Sequence, residues 1–127
     1  MEKLAVTDKA YISQKPLSQA LKVEAKAWLY CSGQLGIDPE TGQLRERAES
    51  QTLQILENLE AVLEAGGSSL ALVVKTTVFL ADLADGPVVN AVYRDCFPNL
   101  PPTRSAVQVS GLARGARVEI ECVAAID

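Results

Sequence analysis

Histidine is absent from the 127 residues, and with it go Ser-His-Asp and Cys-His nucleophile systems and every zinc or iron site that needs an imidazole ligand. Cysteine is scarce. Cys31, Cys96 and Cys122 are odd in number, far apart in sequence and lack C-x-x-C spacing, so they read as reduced, mostly buried thiols with no metal between them. Long uncharged apolar runs are missing too. None approaches the roughly 18 residues of a membrane span, and the opening MEKLAVTDKA has no secretory core; a soluble, cytoplasmic protein is expected, with no membrane partner. Basic residues are outnumbered, 12 Lys and Arg against 16 Asp and Glu for a net charge of −4, which argues against nucleic acid as a partner. Neither a G-x-x-x-x-G-K-S/T run nor a strand-linked G-x-G-x-x-G occurs, so nucleotide phosphates are not indicated.

What is present is an ordinary globular composition, 48% hydrophobic and 22% charged, at the length of a single domain spanning residues 1–127. Lys22–Ala25 and Ala27–Tyr30 read as two short strands of a hairpin turning at Lys26, with a further strand near Leu4. Asp38-Pro39-Glu40-Thr41-Gly42 is turn chemistry. From Arg45 to Ala65, apolar residues at Ala48, Ile55, Leu56, Leu59, Val62 and Leu63 keep helical spacing, and Gly66-Gly67 stands where a C-cap belongs. The β-branched stretch from Leu70 to Leu83 predicts a long strand. Asp85-Gly86-Pro87 opens a second helix carrying Val88, Val89, Val92, Tyr93, Cys96 and Phe97, and Pro98 with Pro101-Pro102 ends it. Alternation around Val107 and Val109, and again around Val118 and Ile120, predicts two closing strands.

This order predicts an α+β fold, a mixed sheet with two helices on one face. Phe79, Ala81, Val123 and Ala125 fall on the opposite phase from Val78, Leu80 and Ile120, so the second face is also partly apolar. No chain remains to cover it, which predicts a homo-oligomer with sheet packed on sheet.

Taken singly, the polar candidates are plain: Arg104 reads as a solvated strand arginine, Glu119 as a solvent-face carboxylate and Ser32 as a turn hydroxyl. Glu121 shares the phase of Glu119 and reads as a structural ion-pair partner. Together and in order, the segments are more specific. Pro16 and Ser18-Gln19-Ala20 are followed by Ser32-Gly33-Gln34 and Asp38-Pro39-x-Thr41-Gly42, then by Val74-Lys75-Thr76-Thr77-Val78-Phe79-Leu80-x-Asp82-Leu83. Val89-Asn90-x-x-Tyr93-x-x-x-Phe97, Pro102-x-Arg104-Ser105 and Val118-Glu119-Ile120-Glu121 complete the series. This collinear set resembles the RidA/YjgF/YER family of imine deaminases, also labelled endoribonuclease L-PSP, over nearly the whole chain.

The resemblance implies a chorismate-mutase-like protomer and a homotrimer whose sheets form a central barrel, with sites between subunits. It implies that Arg104 grips a substrate carboxylate, helped by the main-chain amides of Gly33 and Ala106, and that Glu119 holds or activates the attacking water. Ser32 and Asn90 match residues in or beside the site. The implied activity is hydrolysis of 2-aminoacrylate-type enamines and 2-imino acids to 2-keto acids and ammonia, a reaction that contributes to reactive-intermediate detoxification and needs no metal or organic cofactor. A non-catalytic trimer that binds keto acids for regulation is the alternative. Two positions depart from the family pattern. Gly-Pro-Tyr reads Lys15-Pro16-Leu17, so the substrate-binding position of the tyrosine holds an alkyl side chain, and Arg-Ser-Cys reads Arg104-Ser105-Ala106.

Overall fold

The polypeptide alternates strand and helix so that each helix returns the chain to the same sheet. In the computed structural model, which describes residues 2–127, the elements are β1 (Glu2–Ala5), β2 (Ala20–Val23), β3 (Ala27–Leu35), α1 (Ala48–Ala65), β4 (Val73–Leu80), α2 (Gly86–Cys96), β5 (Thr103–Gln108) and β6 (Val118–Ile126). The main sheet has the order β3-β6-β4-β5, with β4 and β5 parallel and β6 antiparallel to both β3 and β4. Strands β3 and β4 therefore run the same way, and both helices are crossovers between parallel strands. Crossovers of one hand place both helices on one face, giving the α+β arrangement of two helices on a mixed sheet.

The core lies between that face and the helices. Ile55, Leu59 and Leu63 of α1 meet Val78 and Leu80 of β4 and Val118 and Ile120 of β6, all essentially without solvent exposure. Helix α1 begins where Ser50 accepts a hydrogen bond from the Arg47 amide at 3.1 Å. It ends where Gly67 takes φ +85° and the Ser68 amide reaches back to the Leu63 carbonyl at 2.8 Å. Gly36 lets the end of β3 lie against α1: a Cβ there would stand 2.5 Å from the Gln51 Cα. Val62, assigned by spacing to the buried stripe, is instead 39% exposed. No helix among the described residues is long and apolar enough to cross a membrane.

Two local expectations are corrected. There is no hairpin between Lys22–Ala25 and Ala27–Tyr30: β2 pairs with β1 in a separate two-stranded sheet, and β3 pairs with β6. The Lys26 amide bonds to the Ile126 carbonyl at 3.0 Å, so the chain passes from one sheet to the other at that point. The strand expected over Leu70–Leu83 is trimmed to Val73–Leu80 by a 3-10 turn at each end.

On the face away from the helices, register places Tyr30 opposite Val123 and Phe79 beside both Val107 and Glu119. Tyr30 is 77% exposed, and Trp28 and Val107 are also open to solvent, so this apolar face has no cover within the chain. Cys31 and Cys122 are directly opposed on β3 and β6 and buried on the helix side, while Cys96 is half-buried.

Candidate active site

Arg104 is the polar residue around which a site forms. It is the second residue of β5, paired in register with Thr76, and its strand neighbour Ala106 is paired with Val78. Both point to the helix face, and Arg104 is only 8% exposed. The solvated strand arginine expected from the residue alone is thus a buried one.

Three groups fix the guanidinium. Nη1 donates to the Asn90 Oδ1 of α2 at 2.7 Å, and the guanidinium carbon lies 5.0 Å from the centre of the Tyr93 ring, a cation–π contact. Tyr93 is held by a 2.7 Å hydrogen bond between its hydroxyl and that of Thr76. Burial raises the Tyr93 hydroxyl to about 12, against the Thr76 hydrogen bond and the Arg104 charge, which both lower it. Burial pushes the Arg104 pKa down from its ordinary value, and the nearby Arg94 adds to this. Arg104 Nε is buried without a hydrogen-bond partner among the described residues. Asn90 and Tyr93 thus hold the guanidinium in one orientation.

A cleft of about 220 Å³ opens at this point, lined by Lys15, Leu83, Pro87, Asn90, Arg104 and Ala106 among others. The first turn of α2 forms one wall, and the segment carrying Lys15 is docked beside the start of β5. There the Ser18 amide bonds to the Pro102 carbonyl at 3.1 Å and the Ser18 hydroxyl to the Pro101 carbonyl.

The other candidates lie elsewhere. Glu119 shares the opposite sheet face with Phe79 and Val107. Its carboxylate rests on Gly33, where a Cβ would come within 2.5 Å of Oε2. Ser32 and Gly33 form a β-bulge, because three steps on β3 from Cys31 to Gln34 face two on β6 from Cys122 to Ile120. Ser32 is therefore an exposed bulge residue within a strand and not a turn hydroxyl. Leu17 lines a third depression with Val6, Tyr11 and Gln19. The protomer thus brings Arg104, Asn90 and Ala106 together and separates them from Ser32, Gly33 and Glu119 by the thickness of the sheet. A larger groove of about 530 Å³ along Gly33–Leu35 and α1 is mostly apolar. Among the described residues no group of three or more Cys, Asp or Glu could hold a metal ion.

Two residues around Arg104 carry little signal in the sequence. Tyr93 is legible there only as part of the core stripe, although Asn90 and Tyr93 at i and i+3 share a helix face. Lys15 stands out only as a departure from the family pattern.

The fold is a mixed sheet with two helices on one face, and the cleft beside α2 is lined by the buried Arg104. The chain belongs to the family described as Endoribonuclease L-PSP, whose model matches residues 7–126. It is 46% identical over 121 residues to Reactive Intermediate Deaminase A, chloroplastic, of Arabidopsis thaliana, covering 94% of this chain but only 64% of that protein. It is 43% identical over 125 residues to 2-iminobutanoate/2-iminopropanoate deaminase of Mus musculus, covering 98% of this chain and 91% of the mouse protein. Among solved structures, RidA from the Antarctic bacterium Psychrobacter sp. PAMC 21119 superposes with a TM-score of 0.77 at 45% identity, over 98% of this chain and 99% of that one.

Proposed function

We infer that this chain is an imine deaminase, hydrolysing 2-imino acids and their enamine tautomers to 2-keto acids and ammonia. The observation that carries the reading is the buried Arg104 guanidinium, held by Asn90 and Tyr93, in the lining of a small cleft; the names of the relatives supply the reaction class. Arg104 binds the carboxylate through parallel N–H donors, fixing the plane of the adjacent C=N bond. The backbone at Ala106 lies alongside. A water held by a glutamate attacks the carbon of the protonated imine, the glutamate takes the water's proton and returns it to the nitrogen, and the carbinolamine loses ammonia as its hydroxyl gives up a proton to leave the keto acid. The electrophile is already activated, so positioning and one base suffice.

Arg104 and Glu119 occupy opposite sheet faces, so one protomer cannot direct both at one substrate. Both act together if the uncovered face packs against further copies, Glu119 with the Ser32-Gly33 bulge coming from one chain and Arg104 with Asn90 from its neighbour. A closed trimer with a central sheet barrel meets that requirement and covers Tyr30, Trp28 and Val107. Residues 1–127 act in it as one domain. Leu17 brings an alkyl group where a hydroxyl is usual, which favours, as the second reading, a trimer that binds keto acids without turnover.

The deciding experiment generates imines from amino acids of several side-chain sizes with an amino-acid oxidase and follows their decay by semicarbazide trapping. Acceleration by the wild type that disappears in Arg104→Ala is the expected result. Keto-acid binding without acceleration would establish the second reading.

A further inference from the structure

Two cationic side chains line the cleft, Arg104 and Lys15. The first turn of the 11-residue α2 forms its wall through Gly86 and Pro87 without a free donor there, since the Gly86 amide bonds to the Leu83 carbonyl and Pro87 has no N–H. Asp85, at the N-cap position, directs its carboxylate to Arg117, at 2.7 and 2.9 Å. No carboxylate lines the cleft. The placement of Lys15 is built in: Pro16 and Ser18 are buried, Ser18 is tied to Pro101 and Pro102, and Arg94 of α2 donates to the Gln14 carbonyl at 3.5 Å. A monocarboxylate bound through its α-carboxylate would answer Arg104 and leave the Lys15 ammonium without a counter-charge. An acid with a second carboxylate a few bonds away answers both.

We propose that Lys15 is a specificity residue, and that the preferred substrates are short dicarboxylic 2-imino acids, with the α-carboxylate on Arg104 and the distal carboxylate on Lys15. The proposal rests on the deaminase reading for the reaction and on the cleft for the substrate class. The distal group takes no part in the chemistry. It contributes binding, and the partly exposed setting of Lys15 keeps that contribution to about fivefold in affinity.

The test compares two imines of nearly equal shape, those derived from aspartate and asparagine, generated in situ and followed in the wild type, Lys15→Ala and Lys15→Arg. The wild type is expected to favour the aspartate-derived imine by about fivefold in kcat/KM, mostly through KM. The preference should vanish in Lys15→Ala, return in Lys15→Arg and shrink at high salt. An equal rate with both imines, or a preference unchanged in Lys15→Ala, overturns the proposal. If neither imine is turned over while imines of apolar amino acids are, the proposal is overturned; if no imine is turned over at all, the deaminase reading has failed. Calorimetric binding of 2-oxoglutarate against 2-oxopentanoate then decides: a Lys15-dependent preference for the dianion sustains the proposal, and equal binding overturns it.

Discussion

At the scale of single residues, the site depends on how Arg104 is held more than on its charge. Arg104→Lys keeps a cation but loses the fork and the planar stack on Tyr93, and kcat/KM for 2-imino acids should fall about ten- to hundredfold. Tyr93→Phe keeps the ring beneath the guanidinium and removes the bond to Thr76, so it should lower stability by about 1 kcal/mol in denaturant titrations. It should also change the pH dependence. Burial raises the Tyr93 hydroxyl from 10.0 to about 12, so the fold favours the protonated form. The stability this provides is present below pH 10 and is lost as pH rises from 10 to 12. Unfolding free energies measured across that window should fall less steeply in Tyr93→Phe than in the wild type. Arg104 and Asn90 are legible from motif order, because their spacing from the prolines and from Val89 is distinctive. Burial of Arg104 is not, since strand alternation gives a face without saying whether that face is wet. Lys15 and Tyr93 are not legible as neighbours of Arg104, because position 15 shares a cleft with it and the Tyr93 ring meets its guanidinium only after β5 is laid beside β4.

At the scale of elements, α1 is the plainest feature of the sequence, with Ile55, Leu56, Leu59 and Leu63 in one stripe. Leu59→Ala should lower stability by about 2–5 kcal/mol. Gly36→Ala forces β3 off the backbone of α1 and should cost about 1–3 kcal/mol; thermal unfolding checks both. The hairpin expected at Lys26 fails for a physical reason. Two short alternating segments around a polar residue fit a hairpin, but pairing is decided by what else competes for the strand. β6 is nine residues long and offers β3 a full partner, whereas β2 has four residues and pairs with the equally short β1. The bulge at Ser32-Gly33 is invisible in the sequence as well, because an extra residue in a strand is defined only by its partner.

At the scale of the whole molecule, the apolar outer face is legible from phase, and the proposed trimer that would cover it is testable. Val107→Lys puts a charge on that face and should shift the protein toward monomer in sedimentation while abolishing turnover. Arg104→Ala and Glu119→Gln, each inactive alone, should regain activity when refolded together, to about a quarter of the wild-type level if each site draws its arginine and its glutamate from different chains at random. Recovery of none of it would mean that both residues serve the same protomer's site. The paired thiols give the assembly a built-in reporter. Cys31 and Cys122 face each other across β3 and β6 and share a hydrogen bond, and burial pushes the Cys122 thiol up to about 12. Little Cys122 thiolate exists near neutral pH, and both thiols are buried, so alkylating reagents pass the folded sheet by. Cys96, half-buried on α2, should label first. Labelling of the other two would then time the parting of β3 from β6, a clock for the opening of the sheet that needs no introduced probe.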